Sequence, residues 1–166
     1  MKDISTENNN FLVELLNKCE PGNLSHDVFE AVARVAVYPA VEFIPLRKKD
    51  GHIEVLLFER PDNDLIWPSM MHTPGTILRP TDATIDNAFN RLYKDELMNL
   101  PTDPPVFIGA YLSINSRGRC LLLEYLLKVQ AEPKCGVFYK VSELPKTFIP
   151  EQQASLDRAI AAFVKQ

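Results

Sequence analysis

One helix-length segment lies between two groups of strand-like segments, and this order restricts the folds open to the chain. Ile85, Ala88, Phe89 and Leu92 have the i, i+3, i+4, i+7 spacing of an amphipathic helix. Proline cannot occupy a helix interior, so the helix must end before three prolines that follow it: Pro101, Pro104 and Pro105. The sequence therefore predicts one helix between two sets of strands.

The segments before this helix have the composition and turn signals of β-strands. Residues 37–47 are rich in β-branched and aromatic residues, and the KKDG turn at 48–51 leads into residues 52–60. This pattern predicts a β-hairpin. A further short strand is expected around the turn at Pro74-Gly75.

The segments after the helix predict a second hairpin, a short strand and a final helix. Residues 106–114 and 120–130 are apolar and are joined by the sequence NSRGR, which centres a turn on Gly118. A short strand over residues 136–141 and a helix over about 151–164 complete the chain.

Two short helices are expected before the first strand. Residues 11–20 have apolar residues at helical spacing, and residues 25–35 form a second helix that Ser25 can cap. The predicted order is α-α-β-β-β-α-β-β-β-α, with a mixed sheet covered by helices. We therefore expect an α/β fold of the α+β kind, with an N-terminal helical extension at 1–34 and one compact domain at 35–166.

Composition limits the partners and the location of the protein. The 166 residues are 46% hydrophobic and 24% charged, which suits a single core. A formal net charge of −4 argues against broad attraction to a long nucleic acid or an anionic membrane. No apolar run reaches the roughly 18 residues that span a bilayer, and three cysteines without close pairing favour reduced thiols. We expect a cytoplasmic protein.

The hairpin, Trp67, the Pro74-Gly75 turn, the loop at Pro80 and the helix after it resemble the Nudix hydrolases in their order. That family has the motif G-x5-E-x7-R-E-U-x-E-E-x-G-U, in which U is aliphatic. Here residues 74–76 and 80–82 align with its loop, and residues 90–98 align with its helix. The resemblance implies an α/β/α sandwich that hydrolyses a nucleoside diphosphate linked to another group, with magnesium held by the helix glutamates.

The charges on this helix depart from the family motif. Three glutamates of the motif align with Arg91, Lys94 and Asp95, which share one face of a regular helix. The two cations and one anion sum to +1, where three glutamates would give −3. At about 4 Å and an effective dielectric of about 20, each charge product is worth roughly 4 kcal/mol. We therefore expect a degenerate metal site with no bound metal cofactor.

With this site lost, the chain would bind a phosphorylated or nucleotide-like small molecule, or a protein partner that includes a second copy, with weak or no hydrolysis. Arg91 and Lys94 could hold phosphate directly. The resemblance also brings Arg60 and Trp67 close to the ligand cleft. The alternative for Arg91 is an ion pair with Asp95, one helical turn away.

A second alignment keeps an active enzyme possible. If Arg91 matches the motif arginine, Asp95 and Glu96 become the paired acids of a magnesium or manganese site. This alignment replaces Leu92 by Tyr93 at the aliphatic position, so the more deeply buried of the two residues distinguishes the alignments.

Two other acids remain as candidate catalytic groups of such an active enzyme. Asp82 could instead cap the helix, as could Thr81, or complement its dipole. Glu124 lies within an apolar strand and could act as a base, although a pairing with an arginine is favoured.

Overall fold

The computed structural model describes residues 5–20, 22 and 24–165. Residues 1–4 of the predicted N-terminal extension and Gln166 of the predicted domain lie outside the described residues. The described part contains four α-helices and seven strands in this order: α1 Thr6–Asn17, α2 His26–Val35, β1 Val37–Lys49, β2 His52–Glu59, β3 Met71–His72, β4 Gly75–Ile77, α3 Ile85–Arg91, β5 Val106–Asn115, β6 Gly118–Lys128, β7 Val137–Lys140 and α4 Gln153–Val164. A π-helical turn over Leu92–Glu96 continues α3, and a 3₁₀ turn over Pro150–Gln152 precedes α4.

The strands form one mixed sheet centred on β1, in the order β3-β2-β1-β6-β5. β1 runs parallel to β6 and antiparallel to β2, while its first half also pairs with β4. β7 pairs with β2. The predicted mixed sheet is confirmed. The structure adds β3, whose two residues are too few to produce a periodic sequence pattern.

Both predicted hairpins are present. Asp50 and Gly51 turn the first hairpin with φ angles of 48° and 79°, the positive values that a two-residue turn needs. The second hairpin pairs Asn115 with Gly118 across its turn. Local turn chemistry therefore sets both connections.

Helices cover both faces of the sheet, so the predicted α/β/α sandwich is confirmed. Successive strand residues point to opposite faces. α3 and its π-helical turn pack on the face that carries Val41, Phe43, Leu56 and Leu127. α4 packs on the opposite face, against a cluster of buried apolar residues: Ile44, Leu46, Val55, Leu57 and Leu126.

α2 shares the α4 face of the sheet and contacts the β5–β6 turn closely. Ala33 packs against Tyr38, Ala40 and Cys120. A Cβ atom on Gly118 would lie 2.3 Å from the carbonyl oxygen of Ala33, so a residue with a side chain there would displace the helix. The glycine at position 118 therefore allows α2 to pack closely on the β5–β6 turn.

α1 leaves its apolar residues in solvent, since Phe11, Leu12, Leu15 and Leu16 are all exposed. Within the described residues, no helix is both long and apolar enough to cross a membrane.

Candidate functional site

A pocket of about 710 Å³ lies between α2, the first half of β1 and the segment that contains β4. Its apolar lining comes from α2 and the sheet and includes Phe29, Val32, Tyr38, Ile77 and Leu122. Its polar lining includes Arg60, Trp67, His72, Arg117, Glu42 and Gln152. A mostly apolar cavity of this size with a few convergent polar groups is typical of a small-molecule site.

Trp67 lies between two arginines in the wall of this pocket. The guanidinium carbon of Arg60 is 5.5 Å from the centroid of the indole ring, and that of Arg117 is 5.3 Å away. Both distances lie within the range of cation–π attraction. Trp67 is buried. We call these three residues, Arg60, Trp67 and Arg117, the arginine–tryptophan wall.

Each arginine of the wall already has an acidic partner. Arg60 donates to Oδ2 of Asp64 at 2.9 Å from Nε and 2.5 Å from Nη2. Burial opposes ionisation of Asp64, but the backbone N–H groups of Trp67 and Ile66, together with Arg60, lower its pKa to about 2. Arg117 donates from Nε to Oε1 of Glu30 on α2 at 2.7 Å. Each arginine of the wall is therefore held in place by a carboxylate that balances its charge.

Glu42 reaches the same pocket from β1 and is almost fully buried, with 3% of its surface exposed. The Thr73 hydroxyl donates to its Oε1 at 2.5 Å. Burial, with a contribution from the Glu124 carboxylate, raises the pKa of Glu42 to about 7. Sequence reasoning misses Glu42, although an acid within an apolar strand is the same signal that identifies Glu124.

Glu124 lies directly opposite Glu42 in the β1–β6 register and is fully buried. Arg158 on α4 donates to both of its oxygens, at 2.8 Å to Oε2 and 2.5 Å to Oε1. The Ser155 hydroxyl donates to Oε1 at 2.7 Å. The pairing with an arginine that the sequence favours is therefore present.

Asp82 and Arg91 form an ion pair that joins the motif loop (residues 74–82) to the motif helix (residues 90–98). Both terminal nitrogens of Arg91 donate to the Asp82 carboxylate, and Nη2 also donates to the carbonyl oxygen of Ile77 at 3.0 Å. Arg91 lowers the pKa of Asp82. The expected pairing of Arg91 with Asp95 is wrong, because Asp82 is within reach across the loop.

The expectation that Thr81 or Asp82 caps α3 is also wrong. Thr84 caps the helix through a capping box with Asn87, whose side-chain oxygen accepts from the Thr84 backbone N–H at 3.0 Å. The helix begins three residues later than Thr81 allows, and the loop from Pro80 stays free to place Asp82 against Arg91. The apolar stripe buries Ala88 and Leu92, while Ile85 is exposed.

The π-helical turn changes the faces on which the last motif residues lie. Its i→i+5 bond, from the Leu97 N–H to the Leu92 carbonyl at 2.9 Å, inserts an extra residue into the turn. The regular spacing that would group positions 91, 94 and 95 no longer applies, and Lys94 and Asp95 are exposed.

The residues that distinguish the two alignments differ in burial. Leu92 is fully buried, whereas Tyr93 is half-buried with its hydroxyl 2.8 Å from Oγ1 of Thr102. This difference favours the alignment in which Leu92 is the aliphatic residue.

Glu96, at the end of the π-helical turn, is half-buried and accepts the backbone N–H of Gly75. Burial is the main cause that raises the pKa of Glu96 to about 7. Its Oε2 atom has no hydrogen-bond partner within the described part of the chain. Magnesium requires several oxygen ligands, and the described residues contain no group of three or more His, Cys, Asp or Glu residues placed to hold a metal ion.

The chain matches no family model and no curated protein in sequence, but solved structures share its fold. The Nudix domain of Shewanella oneidensis NrtR, complexed with ADP ribose, has a TM-score of 0.64 at 12% identity and covers 91% of this chain and 97% of its own. The C-terminal domain of mouse MUTYH, in complex with human PCNA, has a TM-score of 0.60 at 14% identity, with 79% and 92% covered. C. elegans Ap4A hydrolase has a TM-score of 0.54 at 19% identity, with 78% and 99% covered.

These likenesses agree with the mixed sheet and the two helical layers. The class of protein is an α/β/α sandwich with a pocket beside the motif loop. Its fold is the Nudix fold, as the sequence resemblance predicted.

Proposed function

We propose that this chain is a binding protein with the Nudix fold, which holds a phosphorylated, nucleotide-like ligand without magnesium and with little or no hydrolysis. The observation that carries the proposal is the arginine–tryptophan wall, which lines the pocket. Nη1 of Arg60 and both terminal nitrogens of Arg117 are not used in the bonds to Asp64 and Glu30, so they can donate to phosphate oxygens. An indole ring offers a stacking surface for a base.

The state of the motif acids supports binding over hydrolysis. Asp82 is engaged by Arg91, Asp95 is exposed, and Glu96 lies beside Gly75. Among the substrate-binding candidates from the sequence, Arg60 and Trp67 line the pocket, whereas Arg91 and Lys94 lie outside its lining. We therefore assign the ligand contacts to Arg60, Trp67 and Arg117.

ADP ribose is the first ligand to test, because the NrtR Nudix domain was solved in complex with it. Titration calorimetry in EDTA should detect binding, and the ligand should be recovered intact. Trp67→Ala and Arg60→Ala should each weaken binding by about tenfold or more, as the loss of a charge-assisted or stacking contact implies. Arg119→Ala is the matched control, since Arg119 is an exposed arginine outside the pocket lining.

A metal-dependent hydrolase remains the second candidate, because the unpartnered oxygen of Glu96 lies beside the motif loop. Cleavage of ADP ribose that requires magnesium or manganese and is lost in Glu96→Gln would favour this candidate. The same result would overturn the assignment as a binding protein.

A protein partner is compatible with either candidate. The exposed apolar residues of α1 could form such an interface with a second copy or another chain, and analytical ultracentrifugation of Leu12→Asp against the unchanged chain tests self-association. The cytoplasmic location stays a prediction.

A further inference from the structure

We propose that Glu42 selects the ligand at the β1 side of the pocket, where it accepts a hydrogen bond from an amino or hydroxyl group and releases a proton on binding. This inference rests on the proposed function, because it concerns the same pocket. It assigns the ligand a second feature, a hydrogen-bond donor, in addition to its phosphates.

Glu42 is a carboxyl group that lines the pocket from the sheet, and no cation among the described residues forms an ion pair with it. Arg158, on the neighbouring α4, gives both of its short hydrogen bonds to Glu124. Thr73 fixes the Glu42 side chain by a bond to Oε1 at 2.5 Å. A buried carboxyl group without a paired cation favours its protonated form.

The hydrogen bonds around Glu42 determine what it can offer to a ligand. The Ser155 hydroxyl proton is directed to Oε1 of Glu124 at 2.7 Å, whereas Glu42 receives its short hydrogen bond from Thr73. The remaining lone pairs of Glu42 are acceptors, so its complement on a ligand is a donor.

The polar groups beside Glu42 are engaged with one another. The Thr73 backbone N–H donates to Oε1 of Gln152 at 3.0 Å, and Nδ1 of His72 lies 2.8 Å from the Thr73 carbonyl oxygen. These contacts hold the segment before β4 against the 3₁₀ turn. Glu42 is therefore the group at this side of the pocket whose hydrogen bonds can change when a ligand binds.

Among the described residues, the charged and titratable groups that act on Glu42 are Glu124 and Cys120 on β6 and Arg158 on α4. His72, on β3, lines the same pocket. Burial, with repulsion from Arg60, lowers the pKa of His72 to about 4, and burial raises that of Cys120 to about 12. Neither group exchanges protons near pH 7, whereas Glu42 has a pKa of about 7.

A donor on the ligand stabilises the carboxylate of Glu42 and so lowers its pKa. Near pH 7 part of the population carries the proton on Glu42, so binding should release a fraction of a proton. The proton goes to the buffer, where calorimetry detects it. The ligand class is therefore a phosphorylated compound with an amino or hydroxyl donor at a second position.

The test is calorimetry of ADP ribose at pH 7 in EDTA, in two buffers of different ionisation enthalpy. The bridging diphosphate of ADP ribose does not titrate near pH 7, so the released proton reports on the protein. The expected result is a net release of protons on binding. Glu42→Gln should abolish the release and weaken ADP ribose binding by about tenfold.

Glu96→Gln is the matched control, because Glu96 is the other carboxyl group with a pKa of about 7 near the wall. Release that persists in Glu96→Gln supports Glu42, and release that vanishes there overturns the inference. Proton uptake, no exchange, or an unchanged affinity in Glu42→Gln also overturns it and leaves the proposed function standing. Failure of ADP ribose to bind overturns the proposed function, and this inference with it.

Discussion

Glu42 and Glu124 face each other across the parallel β1–β6 pair, yet only Glu124 is paired with an arginine. The two carboxyl groups therefore differ in role, although they are buried side by side. Glu124 accepts hydrogen bonds from Arg158 and Ser155, and its charge adds to the burial that raises the pKa of Glu42. This difference leads directly to two predictions.

Glu42→Gln should make the free energy of unfolding less dependent on pH. The pKa of Glu42 rises from 4.5 to about 7 on folding, so the folded chain binds more protons than the unfolded chain between these values. The free energy of unfolding must then fall as pH rises through this window, by up to about 3 kcal/mol from this group. Urea unfolding between pH 4.5 and 8 should show a flatter curve for Glu42→Gln, and parallel curves would contradict the prediction.

Arg158→Met should destabilise the chain strongly. It leaves the fully buried Glu124 carboxylate without its partner, and breaking a buried pair from one side costs about 3–5 kcal/mol. Replacing both residues, as Arg158→Met with Glu124→Leu, should recover most of that loss because no buried charge remains. Denaturant unfolding measures both values, and a double variant no more stable than the single one would contradict this account.

Gly118→Ala should loosen α2 from the domain. The added Cβ would meet the Ala33 carbonyl oxygen at 2.3 Å, and α2 covers Cys120. In a Cys19→Ser, Cys135→Ser background, Cys120 should react with a thiol reagent several-fold faster after this change. Gly51→Ala is the control, because Gly51 also has a positive φ but has no atom within 4 Å of an added Cβ. Equal Cys120 reactivity in the two variants would exclude a specific role for the Ala33 contact.

The elements that could be predicted from the sequence are those fixed by local chemistry. The KKDG turn and the turn at Gly118 determine the hairpins, and the spacing of Ala88 and Leu92 determines the buried face of α3. The π-helical turn has no local signal, because packing decides where an extra residue is accommodated. Because of this turn, Lys94 and Asp95 no longer have the regular helical spacing from Arg91 that would place all three residues on one face.

The candidate site was less predictable, because its parts are distant in sequence. Arg60 and Trp67 could be proposed from the family resemblance, but Arg117 and Glu30 meet only when α2 docks on the β5–β6 turn. Glu42 had a readable signal, an acid in an apolar strand, that sequence reasoning did not use.

Arg91→Glu and Lys94→Glu should have very different effects, although both restore an acid of the family motif. Arg91→Glu would place a carboxylate beside Asp82, whose side chain is mostly buried and depends on Arg91, so we expect a loss of about 3 kcal/mol or more. Lys94 is exposed, and Lys94→Glu should change stability by less than about 0.5 kcal/mol. Thermal unfolding of the two variants measures the difference. Similar losses in both would mean that Asp82 does not depend on Arg91, and the role of this pair in joining the motif loop to α3 would have to be abandoned.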